Sequence, residues 1–102
     1  MALEERALDL LEAGYQHSEW YQEGVAKRML VFRDSDAATE LGLTTIERDI
    51  PEARTYRRLI GILVNSGAVV VPAIRAQGIV GAEFYEITPE GIGMLRQAGR
   101  IA

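Results

Sequence analysis

The segment Arg54–Val70 reads "RTYRRLIGILVNSGAVV". Three arginines flank a Thr-Tyr pair, an apolar stretch comes next, and a glycine stands before a run of valines. Tyr56, Leu59, Ile60 and Leu63 recur at three- and four-residue spacing, so they share one face of a helix. The arginines fall off that face. Gly67 stops the helix, and the β-branched run after it favours an extended strand. The segment therefore predicts a core-facing helix with a cationic outer side, stopped by glycine and feeding a strand.

Upstream, "TTIERDIPE" (Thr44–Glu52) offers two helix starts. Thr44 with Glu47 and Asp49 with Glu52 both match the reciprocal cap in which a side chain at each end satisfies a free amide. Pro51 is tolerated in a first turn and costs about 3 kcal/mol inside a helix. A short helical turn over Thr45–Asp49 and a main helix over Ile50–Ser66 are expected. Before them, "DSDAATELGL" predicts a short helix capped by Asp34 or Ser35, with Ala37, Ala38 and Leu41 inward and Gly42 as its stop. Downstream, "AVVVPAI" reads as a strand, at an edge or a bulge because Pro72 has no amide to donate. "RAQGIVG" is a turn and "AEFYEI" a second strand. Thr88 caps a last helix with Pro89 at its first position, running to about Ala98.

The N-terminal third is less determinate. Leu3, Ala7, Leu8 and Leu11 predict a helix over Ala2–Ala13, ended by Gly14. Ser18 can cap a helix starting at Glu19 in which Tyr21, Val25, Met29 and Phe32 share a face; alternatively that helix stops near Arg28 and "MLVF" is a strand.

Composition bounds the rest. A chain of 102 residues, 48% hydrophobic and 25% charged, is one domain with one modest core. No apolar run approaches the roughly 20 residues of a membrane helix, and "MALEERALDL" lacks the basic start of a signal peptide. With no cysteine, disulfides, thiolate chemistry and Cys-bound zinc are excluded, which fits the cytoplasm. The formal net charge is −4. Residues 1–26 hold six acids against Arg6 alone, −5, and residues 27–102 hold ten bases against nine acids, +1. A phosphate-binding surface needs local positive potential rather than a basic whole chain.

The order of elements gives an α+β, mostly helical fold that resembles the winged helix-turn-helix domains of transcriptional regulators, similar to MarR-like and PadR-like proteins. The carriers are "AATELGL" as scaffold helix, "RTYRRLIGILVNSGAVV" as recognition helix and way into the wing, and "FYEITPEGIGML" as wing exit and following helix. Residues 32–102 would form the winged-helix part, with a C-terminal β-hairpin wing. Residues 1–31 would be an N-terminal helical segment that could mediate dimerisation. The resemblance implies that the main helix enters the major groove of DNA and the wing touches the backbone. Its usual turn between the paired helices is three to four residues, whereas here the acidic "TTIERDIPE" intervenes.

Arg54, Thr55, Arg57 and Arg58 are the DNA-contact candidates on the main helix, since arginine reads guanine or clamps phosphate and threonine bonds either. Arg75 and Gln77 are candidates at the wing tip, where Gly78 and Gly81 would let the chain bend close to a backbone. The plainer alternative is a solvated arginine face paired with Glu47, Asp49 or Glu52, and an ordinary hairpin turn. Tyr56 fits the core. Lys27, Arg28 and Arg33 form a second basic cluster. His17 is the only histidine and has no partners at metal-ligand spacing, so it reads as a polar turn residue. Trp20 and Tyr21 read as core or dimer contacts. The carboxylates nominate no acid–base pair, and "GIVGAEF" lacks the Lys-Ser/Thr ending of a phosphate loop. No enzyme, cofactor or metal is expected. The expected function is a sequence-specific DNA-binding transcriptional regulator, a homodimer on two half-sites. The alternative is a winged-helix protein–protein interaction module, including a DNA mimic or inhibitor, favoured by the acidic N-terminal region and "ERDIPE".

Overall fold

In the computed structural model, which describes residues 3–23, 27–72 and 84–102, the chain is α+β with four helices and a four-stranded antiparallel sheet. Helix α1 spans Glu5–Gln16 and buries Ala7, Leu8, Leu10, Leu11, Ala13 and Gly14. The expected stop at Gly14 is not made. Gly14 stays helical, and its role is close approach: a Cβ there would lie 2.9 Å from the Phe32 ring. The helix ends three residues later, where the Ser18 amide and hydroxyl both donate to the Tyr15 carbonyl, at 3.2 and 2.6 Å. Ser18 thus closes α1 rather than capping a new helix.

Beyond Ser18 the chain forms a pair of strands, β1 (Glu19–Glu23) and β2 (Lys27–Arg33). The helix considered from Glu19 is absent, and the strand alternative for "MLVF" holds and extends further in both directions. Period two explains why. Leu30 and Phe32 enter the core on one face of β2, and antiparallel pairing sets Trp20 opposite Leu30 and Tyr21 opposite Met29. Phe32 stacks on Tyr85 with ring centroids 6.1 Å apart.

Helix α2 (Asp34–Glu40) buries Ala37 and Ala38 fully. Neither Asp34 nor Ser35 caps it; its N-cap is Arg33, whose side chain makes no capping bond. Helix α3 (Pro51–Asn65) starts with Pro51 in its first turn and buries Ala53, Tyr56, Leu59, Ile60 and Leu63. The helical turn expected over Thr45–Asp49 does not form. The Thr44 hydroxyl instead accepts from the Ile46 amide at 3.2 Å, and the Arg48 amide donates to the Ile46 carbonyl at 2.9 Å. This local bonding offers the backbone an alternative to helix.

Strand β3 is short, Val69–Val70, and β4 is Phe84–Ile87. Of the strand expected over "AVVVPAI", the described residues form Val69–Val70. Residues 73–83 lie outside the described residues, and with them the expected turn, Arg75, Gln77, Gly78 and Gly81. The sheet order is β1-β2-β4-β3, so β2 and β3 flank β4 and β1 forms an edge. Helix α4 (Pro89–Gln97) begins as expected: the Thr88 hydroxyl accepts from the Gly91 amide at 3.0 Å and donates to the Gly67 carbonyl at 2.5 Å. The same residue therefore caps α4 and ties it to the end of α3.

Gly42, Gly67 and Gly99 sit at φ +71, +79 and +71°, each just past a helix. At Gly67 the following amide, Ala68, reaches back to the Leu63 carbonyl at 3.0 Å, and the Gly67 amide to Val64 at 3.1 Å. This paired closure satisfies the last free carbonyls of α3. One apolar cluster joins all four helices to the sheet, from Leu10 and Leu11 through Phe32 and Ala38 to Leu59, Leu63, Val69 and Leu95. Truncating a fully buried leucine such as Leu63 to alanine costs about 2–5 kcal/mol in such a core.

Candidate nucleic-acid interface

The buried stripe of α3 fixes what its other side presents. At 100° per residue, Tyr56, Leu59, Ile60 and Leu63 centre on one direction, while Arg54, Arg57, Arg58, Gly61 and Asn65 cluster opposite. All three arginines are exposed, and Thr55 at the margin is half-buried. The cationic face is thus a consequence of the core: anchoring the apolar stripe leaves the arginines in solvent.

Their partners differ. Arg54 Nη1 lies 2.7 Å from Asp49 Oδ1 and 3.3 Å from the Asp49 carbonyl. The Asp49 to Glu52 cap that the sequence offered is replaced by this ion pair. Arg58 Nη1 lies 2.7 Å from Glu4 Oε2, ahead of α1. That hydrogen bond, and then the charge of Arg58, hold the Glu4 carboxyl below its ordinary range, and the same contact raises Arg58. Both pairs are exposed, so each adds little to stability. Arg57 has no carboxylate partner among the described residues. Its two terminal nitrogens donate to the Arg48 carbonyl at 3.4 Å each. Arg48 itself is exposed.

Of the acids expected to pair with these arginines, Asp49 does so; Glu47 and Glu52 make no ion pair among the described residues. Glu4 was not among the expected partners, because it stands 54 residues from Arg58. Arg48 was missed as well. It sits in an acidic-looking segment, and only the folded contact with Arg57 brings it beside the arginine face.

Tyr56 is a core residue as expected, 5% exposed, with its hydroxyl 3.3 Å from Asp34 Oδ2. Arg28 and Arg33 do not form one cluster. An odd separation along β2 puts them on opposite faces. Arg28 stacks 4.4 Å over the Trp20 ring and Arg33 5.4 Å over Phe84; the side chain of Lys27 lies outside the described residues. Trp20 and Tyr21 are not core residues: they are 60% and 47% exposed on the edge strand β1. His17 Nε2 lies 3.1 Å from Glu40 Oε2 and ties the end of α1 to α2. Among the described residues no group of three His, Cys, Asp or Glu is arranged to hold a metal, and no helix is long and apolar enough to cross a membrane.

The chain matches no family model, no curated protein and no solved structure.

Proposed function

We propose that the chain is a winged helix-turn-helix protein that binds double-stranded DNA through α3 and regulates transcription. The observation that carries this is the disposition of Arg54, Arg57 and Arg58 on the solvent side of one helix, with Arg48 beside them. A major groove about 12 Å wide admits a helix, and guanidinium groups on such a helix can fork onto guanine or phosphate. The element order supports the same reading: the helix pair α2 and α3 leads directly into the strand pair β3 and β4, with β2 as third strand.

Two copies on two half-sites would supply the affinity that one lightly charged domain lacks. Helix α1 spends its apolar face on the chain's own core, which leaves β1 as the N-terminal element free to dock a second copy. The outer edge of β1, with Trp20 on one face and Tyr21 on the other, would form the contact. Light scattering tests this: a dimer that Trp20→Ser converts to monomer is expected, and a wild-type monomer in the presence of DNA refutes it.

The test of DNA binding is a mobility shift on a random-sequence duplex pool at low and moderate salt. Binding that weakens with salt and is lost in Arg57→Ala with Arg58→Ala is expected. No shift at low salt refutes the reading. A protein–protein interaction module is then the better account, and one observation favours it: Arg54 and Arg58 are already occupied by Asp49 and Glu4.

A further inference from the structure

The occupied arginines and the segment before α3 sharpen where a duplex would be held. By formula, residues 44–50 look unfavourable to DNA, with Glu47 and Asp49 against Arg48. The fold changes this balance. Asp49 is spent on Arg54 at 2.7 Å, and Glu4 on Arg58 at 2.7 Å. Arg57 turns instead to the Arg48 carbonyl. Contacts of 3.4 Å to a neutral carbonyl are long for hydrogen bonds, so a phosphate oxygen would displace them at little cost. They also draw the Arg57 guanidinium against the backbone of another exposed arginine. The backbone of residue 48 is thereby held beside the start of α3, with the Arg48 side chain exposed to solvent. Glu52, the nearest acid on the helix, is five residues from Arg57 and so about 140° around the axis. Glu47 adjoins Arg48 and is the one remaining acid of the segment without an ion pair among the described residues.

We propose that Arg48 and Arg57 grip a backbone phosphate of bound duplex DNA, so that residues 44–50 form part of the DNA interface, while Arg54 and Arg58 are held back by Asp49 and Glu4. This rests on the DNA-binding reading above. Arg48 is thereby a binding residue outside the paired helices, and the long connection between α2 and α3 acquires a role. Asp49 and Glu4 act as internal competitors for the phosphates that Arg54 and Arg58 would otherwise take.

The experiment is fluorescence anisotropy of the full chain on a labelled random-sequence duplex over a range of potassium chloride. Each phosphate contact contributes about 0.9 to the slope of log affinity against log salt. Between about 50 and 200 mM salt, one contact fewer reduces the loss of affinity by about 3.5-fold. Arg48→Ala and Arg57→Ala should each show part of that reduction and the double variant the whole of it, Arg48→Lys should retain most of the wild-type slope, and Glu4→Gln should bind more tightly than wild type. Arg96→Ala, on the exposed side of α4, serves as control for a general charge effect, and circular dichroism confirms folding of each variant. If Arg48→Ala keeps the wild-type slope while Arg57→Ala or Arg58→Ala loses it, the phosphate grip is wrong and DNA binding stands. If the wild type does not bind at low salt, both fall.

Discussion

Two glycines of α4, Gly91 and Gly93, should respond to alanine with opposite signs. A Cβ on Gly91 would run into the carbonyl oxygen of Ala68 and come within 3.1 Å of its carbon and of Ile87 Cγ2. The obstacle is backbone at the start of β3 and cannot rotate away. That carbonyl also accepts the Thr88 amide at 3.1 Å, so pushing α4 outward breaks the bond that ties it to α3 and the sheet. Overpacking costs about 1–3 kcal/mol, and a buried hydrogen bond left unmade about 1–3 kcal/mol more. Against these, alanine is about 1 kcal/mol better than glycine within a helix. The net loss for Gly91→Ala is then about 1–5 kcal/mol, centred near 3. A Cβ on Gly93 meets nothing within 4 Å, so only the helical gain remains and Gly93→Ala should stabilise by about 1 kcal/mol. For a domain of this size each kcal/mol moves Tm by about 4–8 °C. Thermal unfolding followed by circular dichroism should put Gly91→Ala about 12–24 °C below wild type and Gly93→Ala a few degrees above it. A Gly91→Ala variant as stable as wild type would refute the tight junction between β3 and α4.

Other expectations come from the same kinds of contact. Gly14→Ala should lower stability by up to about 2 kcal/mol in urea unfolding, because its Cβ would meet the Phe32 ring at 2.9 Å and the helical gain of alanine offsets about 1 kcal/mol of that clash; adding Phe32→Leu should recover part of that loss rather than add to it. Arg58→Ala should raise the Glu4 carboxyl back toward its ordinary value of 4.5, read by NMR titration of the side chain. Because the folded value lies below the unfolded one, the stability contributed by Glu4 is present above pH 4.5 and is lost as pH falls through the lowered value; in Arg58→Ala that part of the acid limb should flatten. Arg100 contacts Glu5, Asp9 and Glu12 at 2.6, 2.7 and 3.0 Å and thereby joins the C-terminal end to α1. Arg100→Met should leave three carboxylates facing one another, with a stability deficit that shrinks as salt rises; a deficit independent of salt would mean that the side chain acts through packing.

What could be read from the sequence was carried by short-range chemistry. Pro51 and Gly67 bracket α3, Thr88 with Pro89 starts α4, and Gly42 adopts the left-handed conformation expected of it. Each signal acts over a few residues. The failures need partners far along the chain. Gly14 looks like a stop and is a point of contact with Phe32, 18 residues on. "EWYQE" has no pattern of its own and becomes a strand because β2 lies opposite it. Thr44 is the local exception: it matches a helix-start pattern, but its hydroxyl accepts from the Ile46 amide two residues on. At the candidate interface the helix face bearing Arg54, Arg57 and Arg58 was legible from the apolar stripe behind it. Which of those charges are already neutralised was not, since that depends on Glu4 and on the path of residues 44–50.

DNA should meet the chain on the solvent face of α3 and the segment before it. Mapping amide chemical shifts of the isotopically labelled protein during titration with duplex DNA addresses this directly. The largest changes are expected on residues 48–58, Arg48 and Arg57 among them, while those of α1 and β1 move little at constant oligomeric state. Changes concentrated on Trp20 and Tyr21, or no changes at low salt, would contradict it.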